Sequence, residues 1–150
     1  MAIRTVLVGY GRAGRNFHCQ LIKLAAGLEL HGVVSADPAK RQTIPAEQGC
    51  TAYASLDEAL ADRQVQLVVL ATPHHTHAPL AIQAMNAGRH VVTDKVMCLN
   101  LAECDQMIEA AERNRVLLSV FHNRRWDGDY LTIRRMIDDG FAEVYRPKKR

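Results

Sequence analysis

Three glycines placed directly behind an apolar, β-branched run constrain this chain more than any other feature. Ile3–Val8 reads as a strand buried on both faces, and it ends at Gly9-Tyr10-Gly11-Arg12-Ala13-Gly14. Beyond the glycines, Phe17, Leu21, Leu24 and Leu28 recur at helical spacing and predict a helix with that stripe turned to the core. The opening of the chain is therefore a strand, a tight turn and a helix close against the strand.

The alternation continues. Residues 30–34 form a second apolar run, and Pro38 opens a helical stretch at the first-turn position that tolerates proline. Ser55 with Glu58 predicts a capping box, 67–71 the clearest buried strand, and Thr72-Pro73 its end. A helix over 76–87 stops at Gly88, and His90–Thr93 is the next strand. Asn100 with Glu103 repeats the capping box, ahead of a stripe (Leu101, Cys104, Met107, Ile108, Ala111) facing the core. A further strand over 116–121 precedes a last helix marked by Trp126, Tyr130, Ile133 and Ile137, with Trp126 packing it onto the sheet. With no hairpin signal between strands, the expectation is an α/β fold, a Rossmann-type doubly wound parallel sheet of about six strands.

The 150 residues suffice for one domain of ordinary size. Residues 1–140 read as that domain, and 141–150 as the start of a truncated second domain or a tail. At 48% apolar and 23% charged residues the composition excludes a disordered chain. The longest charge-free apolar run, 65–73, is far below the roughly 20 residues of a membrane helix, so no membrane partner is expected. Arg4 breaks the N-terminal apolar stretch before it could serve as a secretory signal, which points to the cytoplasm. Cys19, Cys50, Cys98 and Cys104 are too scattered for a zinc site or a disulfide framework and read as reduced core thiols. The net charge of +3 comes from residues 124–150, with eight basic and five acidic side chains; lacking a broad basic stripe with interleaved aromatics, it predicts no nucleic-acid partner.

Gly-x-Gly-x-x-Gly between a strand and a helix is the dinucleotide fingerprint. Gly9 makes the turn, Gly11 lets a pyrophosphate approach the backbone, and Gly14 packs helix on strand. An NAD site wants a carboxylate about 20 residues further on, at the end of the second strand. Ser35 lies 21 residues after Gly14 and Asp37 lies 23 after it. With Ser35 in that place nothing repels a 2′-phosphate, and Arg12, Lys40 and Arg41 can pair with one, which favours NADP. Were Asp37 to reach back instead, NAD would be preferred; Asp37 also suits the cap ahead of Pro38. His74, His75 and His77 have no acidic or thiolate companion in their segment, so no metal site is expected.

Four segments, VGYGRAG, ATP followed by His77, AGRHVVTDK and SVFHNRRWD, together resemble the glucose-fructose oxidoreductase, inositol dehydrogenase and rhizopine-catabolism (Gfo/Idh/MocA) family over essentially the whole chain. The tail LSVFHNRRWDGDYLT is most similar to its NADP-using inositol dehydrogenase branch. The resemblance implies that Lys95 matches the catalytic lysine of the family's Glu-Lys-Pro motif, which contacts the nicotinamide ribose and handles the substrate hydroxyl proton. A lysine at a buried strand end is suited to such acid-base work. Asp94 replaces the motif's glutamate and Val96 its proline, where the family usually has a cis peptide bond, so a reshaped loop is expected. The resemblance further implies a cofactor site lined by Ala71, Thr72, Pro73 and His77, with Asn123 and Arg124 near the nicotinamide. It also implies a second α/β domain, absent here, that carries a substrate pocket and the oligomer interface.

Two functions are compatible with these features. One is the NAD(P)-binding part of an oxidoreductase acting on a sugar or cyclitol hydroxyl carbon, inactive without its second domain. The other is a non-catalytic dinucleotide-binding module. Surface bared by the missing domain would drive formation of a homo-oligomer.

Overall fold

The computed structural model describes residues 2–141. Six strands form one sheet in the order β3-β2-β1-β4-β5-β6, every neighbouring pair parallel. They are β1 (Ile3–Val8), β2 (Leu28–Val34), β3 (Thr51–Tyr53), β4 (Leu67–Leu70), β5 (His90–Thr93) and β6 (Leu118–Val120). Helices α1 (Cys19–Leu24), α2 (Pro38–Gln48), α3 (Leu56–Ala61), α4 (His77–Asn86), α5 (Leu101–Asn114) and α6 (Gly128–Asp138) fill the connections. The chain turns back on its own order between β1 and β4, so the crevice at their carboxyl ends is the switch point where such sheets take ligands.

Alternation along each buried strand divides the core between two faces. Val6 and Val8 pack with Val68, Leu70, Ala81, Met85, Met107 and Ala110 on one side, while Leu7 joins Ile22, Val33 and Ile44 on the other. Local signals fix the helix starts. Ser55 accepts the Glu58 amide at 3.1 Å, Asn100 accepts the Glu103 amide at 2.9 Å, and Glu103 reaches back to the Leu99 amide at 2.9 Å. At the far end of the sheet, Asp62 joins His31 (2.8 Å) and Tyr53 (2.9 Å), and these hydrogen bonds hold its carboxyl down at about 2.

Several expected faces are reversed. Phe17, Leu21 and Leu24 are exposed, and His18, Cys19 and Ile22 face the core instead. The cause is a π-helical turn over Gly14–His18, closed by the Cys19 amide on the Gly14 carbonyl, which widens the helix by a residue and rotates the turns after it. In α5 the expected Met107 and Ala111 do face inward, joined by Ala110, while Leu101 and Ile108 are exposed. Trp126 is 78% exposed and α6 buries none of its residues, so Trp126 does not pack that helix onto the sheet. The sixth strand is shorter than expected, and the final helix is split into a 3-10 turn over Asn123–Trp126 and α6. Of the thiols, Cys19 is buried and pushed up to about 11 by burial; Cys50, Cys98 and Cys104 are only half-buried. No described helix is long and apolar enough to cross a membrane. Of the tail assigned to a second domain, 142–150 lies outside the described residues.

Candidate functional site

The glycine turn sits at the switch point, and each glycine meets a different demand. Gly9 has φ +103°, and a Cβ there would stand 2.5 Å from the Ala71 carbonyl oxygen at the end of β4. At Gly14 a Cβ would overlap the Gly9 carbonyl oxygen. Around Gly11 no atom lies within 4 Å of the same position, so its backbone opens on free space. The helix ladder begins with the Arg15 amide on the Gly11 carbonyl, 2.9 Å, which leaves the amides of Arg12, Ala13 and Gly14 ahead of it. Free amides, the positive end of the helix and an unobstructed glycine make a cradle that fits a diphosphate.

Tyr10 does not face this cradle. It is 5% exposed, and its hydroxyl donates to Glu47 (2.6 Å) and accepts from Gln48 (2.8 Å), tying the turn to the end of α2. Burial, reinforced by Glu47, pushes the phenol up to about 12. Arg15 pairs with the same carboxylate at 2.9 Å.

At the end of β2, Ser35 is buried and Asp37 is spent locally. The Asp37 carboxylate accepts the amides of Ala39 (3.0 Å) and Lys40 (3.4 Å) as the cap of α2, and the Lys40 ammonium lies 3.7 Å away. Ser35 Oγ accepts the Asp37 amide at 3.3 Å, and Arg41 donates to the Ser35 carbonyl at 2.8 Å.

A cleft of about 360 Å³ lies beside the cradle, and Arg12, Ala13, Asn16, His18, Asp94, Lys95 and Asn123 contribute to its walls. A neighbouring cavity of about 310 Å³ adds Arg124, which pairs with Asp127 at 2.6 Å, to Lys95 and Asn123. Lys95 is exposed, so the burial invoked for it from sequence is absent; its peptide bond to Val96 is cis. Asp94 accepts the Lys95 amide at 2.7 Å and faces His18 at 3.1 Å.

His77 lies behind the cleft. It is fully buried, with Nδ1 2.7 Å from the Val96 carbonyl oxygen and Nε2 2.9 Å from that of Thr72, and it joins the loops that leave β4 and β5. Thr72 accepts the Thr76 hydroxyl at 2.7 Å, and Pro73 precedes the 3-10 turn over His74–Thr76. Sequence reasoning passed over Asn16 and His18. A signal was present for His18, since Gly14, His18 and Ile22 share the i, i+4 spacing of an inward face.

The model of an oxidoreductase family with an NAD-binding Rossmann fold, GFO_IDH_MocA, matches residues 3–122. This chain belongs to that family. Among similar Gfo/Idh/MocA proteins, the uncharacterized oxidoreductase YdgJ of Escherichia coli is 39% identical over 92% of this chain and 39% of its own length. The scyllo-inositol 2-dehydrogenase (NADP(+)) IolW of Bacillus subtilis is 34% identical over 94% of this chain and 39% of its own. The crystal structure of the WlbA dehydrogenase from Bordetella pertussis, in complex with NADH and UDP-GlcNAcA, superposes with a TM-score of 0.88. It is 31% identical over 97% of this chain and 45% of that one. The chain thus spans less than half the length of these relatives.

Proposed function

We propose that this chain is the dinucleotide-binding part of an NADP(H)-dependent oxidoreductase acting on a hydroxyl-bearing carbon of a sugar or cyclitol. The observation that carries the reading is the cradle at the switch point, where free amides of Arg12, Ala13 and Gly14 surround the open backbone of Gly11. A bound nicotinamide dinucleotide supplies a hydride acceptor. This chain's residues supply the rest. Gly9 and Gly14 shape the turn, Thr72 and Pro73 wall the crevice, and Asn123 and Arg124 border the nicotinamide end. The proton passes between the substrate hydroxyl and Lys95 Nζ as the hydride passes between carbon and dinucleotide, to the neutral amine in oxidation and from the ammonium in reduction.

Preference for the 2′-phosphate rests on Ser35 and Asp37. The Asp37 carboxylate is engaged by α2, no carboxylate stands at the Ser35 position, and Lys40 and Arg41 are nearby cations. IolW, named for NADP(+), supports the same choice. Fluorescence titration of the chain is expected to give a Kd for NADPH about 10-fold below that for NADH, the worth of one charge-assisted hydrogen bond. Equal or tighter NADH binding removes the preference. Saturation by neither dinucleotide removes the whole reading. With the second domain supplied, turnover of inositol or sugars that is lost in Lys95→Ala separates the oxidoreductase from a module that only binds.

Phe17, Leu21 and Trp126 line an apolar cleft of about 510 Å³, and Ile133 and Met136 of α6 are exposed beyond it. The same reading gives this surface to further protein, a second copy when the chain is alone. Sedimentation velocity is expected to show concentration-dependent self-association, and a monomer at every concentration would refute it.

A further inference from the structure

We propose that His18 is a positioning residue for Lys95, acting through Asp94. This rests on the dinucleotide reading above and adds a residue to it. The π-helical turn places His18 inward, 4% exposed, with its ring tilted against Phe121 at 5.0 Å between centroids. Its Nε2 lies 3.1 Å from Asp94 Oδ2, and Asp94 Oδ1 accepts the Lys95 amide at 2.7 Å. The Asp94 amide in turn donates to the Leu70 carbonyl at 2.9 Å, fixing the residue to the end of β4.

One carboxylate therefore links the helix of the glycine turn to the backbone that carries Lys95. Each of its oxygens is engaged, and Lys95 makes no ion pair among the described residues. Without the imidazole, Asp94 is free to rotate and to draw the neighbouring ammonium to itself, away from the cleft. His18 keeps the carboxylate occupied, so the Lys95 ammonium stays available to a ligand.

The test compares two ligands on the 150-residue chain by calorimetry. NADPH reaches the Lys95 end of the cleft, whereas adenosine 2′,5′-bisphosphate lacks the nicotinamide and its ribose. His18→Ala is expected to weaken NADPH about 10-fold and to leave the bisphosphate within about twofold. His18→Gln, whose side-chain nitrogen reaches the place of Nε2, is expected to restore NADPH affinity and the fluorescence change of the bound nicotinamide. Equal weakening of both ligands by His18→Ala would mean that the residue only supports the helix, and would overturn the proposal. So would unchanged NADPH binding, or failure of glutamine to rescue. An unsubstituted chain that binds neither ligand overturns the dinucleotide reading itself, and this assignment with it.

Discussion

Alanine at Gly11 is expected to leave the melting temperature of the chain essentially unchanged and to weaken nicotinamide dinucleotide binding by about 100-fold. The two effects separate because an added Cβ at Gly11 meets no protein atom within 4 Å, so folding has nothing to resist. It would project into the space in which a diphosphate approaches the amides ahead of the Arg15 bond, and losing two such charge-assisted contacts is worth about two factors of ten. Gly14→Ala is expected to behave in the opposite order. Its Cβ would overlap the Gly9 carbonyl oxygen, a backbone atom that cannot swing aside, and separating helix from strand costs at least about 2 kcal/mol. Thermal unfolding and fluorescence titration on both variants measure the contrast. A Gly11→Ala chain that binds NADPH as tightly as the unsubstituted protein would move the diphosphate elsewhere.

That contrast also marks which features the sequence makes legible. The glycine turn, both capping boxes and β5 depend on neighbours within a few residues, and local spacing identifies them. The inward face of the first helix does not. Phe17, Leu21 and Leu24 form the more apolar stripe, but one wide turn after Gly14 rotates the helix so that His18, Cys19 and Ile22 enter the core. Only the i, i+4 spacing of Gly14, His18 and Ile22 hints at that face, against the more apolar stripe. In α5 the difference has another origin, since ranking by hydrophobicity adds Leu101 and Ile108 to the stripe, whereas close contact with α4 selects Ala110 beside the expected Met107 and Ala111. Size alone marks Trp126 as a core anchor, yet the surface it borders carries no covering element among the described residues. Within the site, Asp94, Lys95 and Asn123, which the family resemblance singles out, border one cleft with Arg12 and Ala13 of the glycine turn. Asn16 joins them only through the three-dimensional path of the helix, and Tyr10 turns away from the cleft because Glu47 and Gln48, far along the chain, satisfy its hydroxyl.

His77→Ala is expected to cost about 3 kcal/mol of stability and to lower the melting temperature by about 6 to 12 °C. Two losses combine in that figure. A side chain with no exposed surface leaves a cavity between β4, β5 and α4, and the carbonyl oxygens of Thr72 and Val96, 2.9 and 2.7 Å from its ring nitrogens, lose the ring N–H donor between them. Those oxygens belong to the loops that follow β4 and β5, so freeing them also loosens the wall behind Gly9 and the segment that presents Lys95; NADPH affinity is expected to fall together with stability. His77→Phe divides the two contributions, because a phenyl ring fills the volume and supplies no hydrogen bond. If the hydrogen bonds hold the loops, the phenylalanine chain stays at least about 2 kcal/mol less stable than the unsubstituted one, with weakened NADPH binding, the penalty for buried acceptors left without partners. Were His77→Phe to melt and bind like the unsubstituted chain, the histidine would serve as packing alone, and the link between the two loops would have to be sought in the Asp94 amide bond to Leu70.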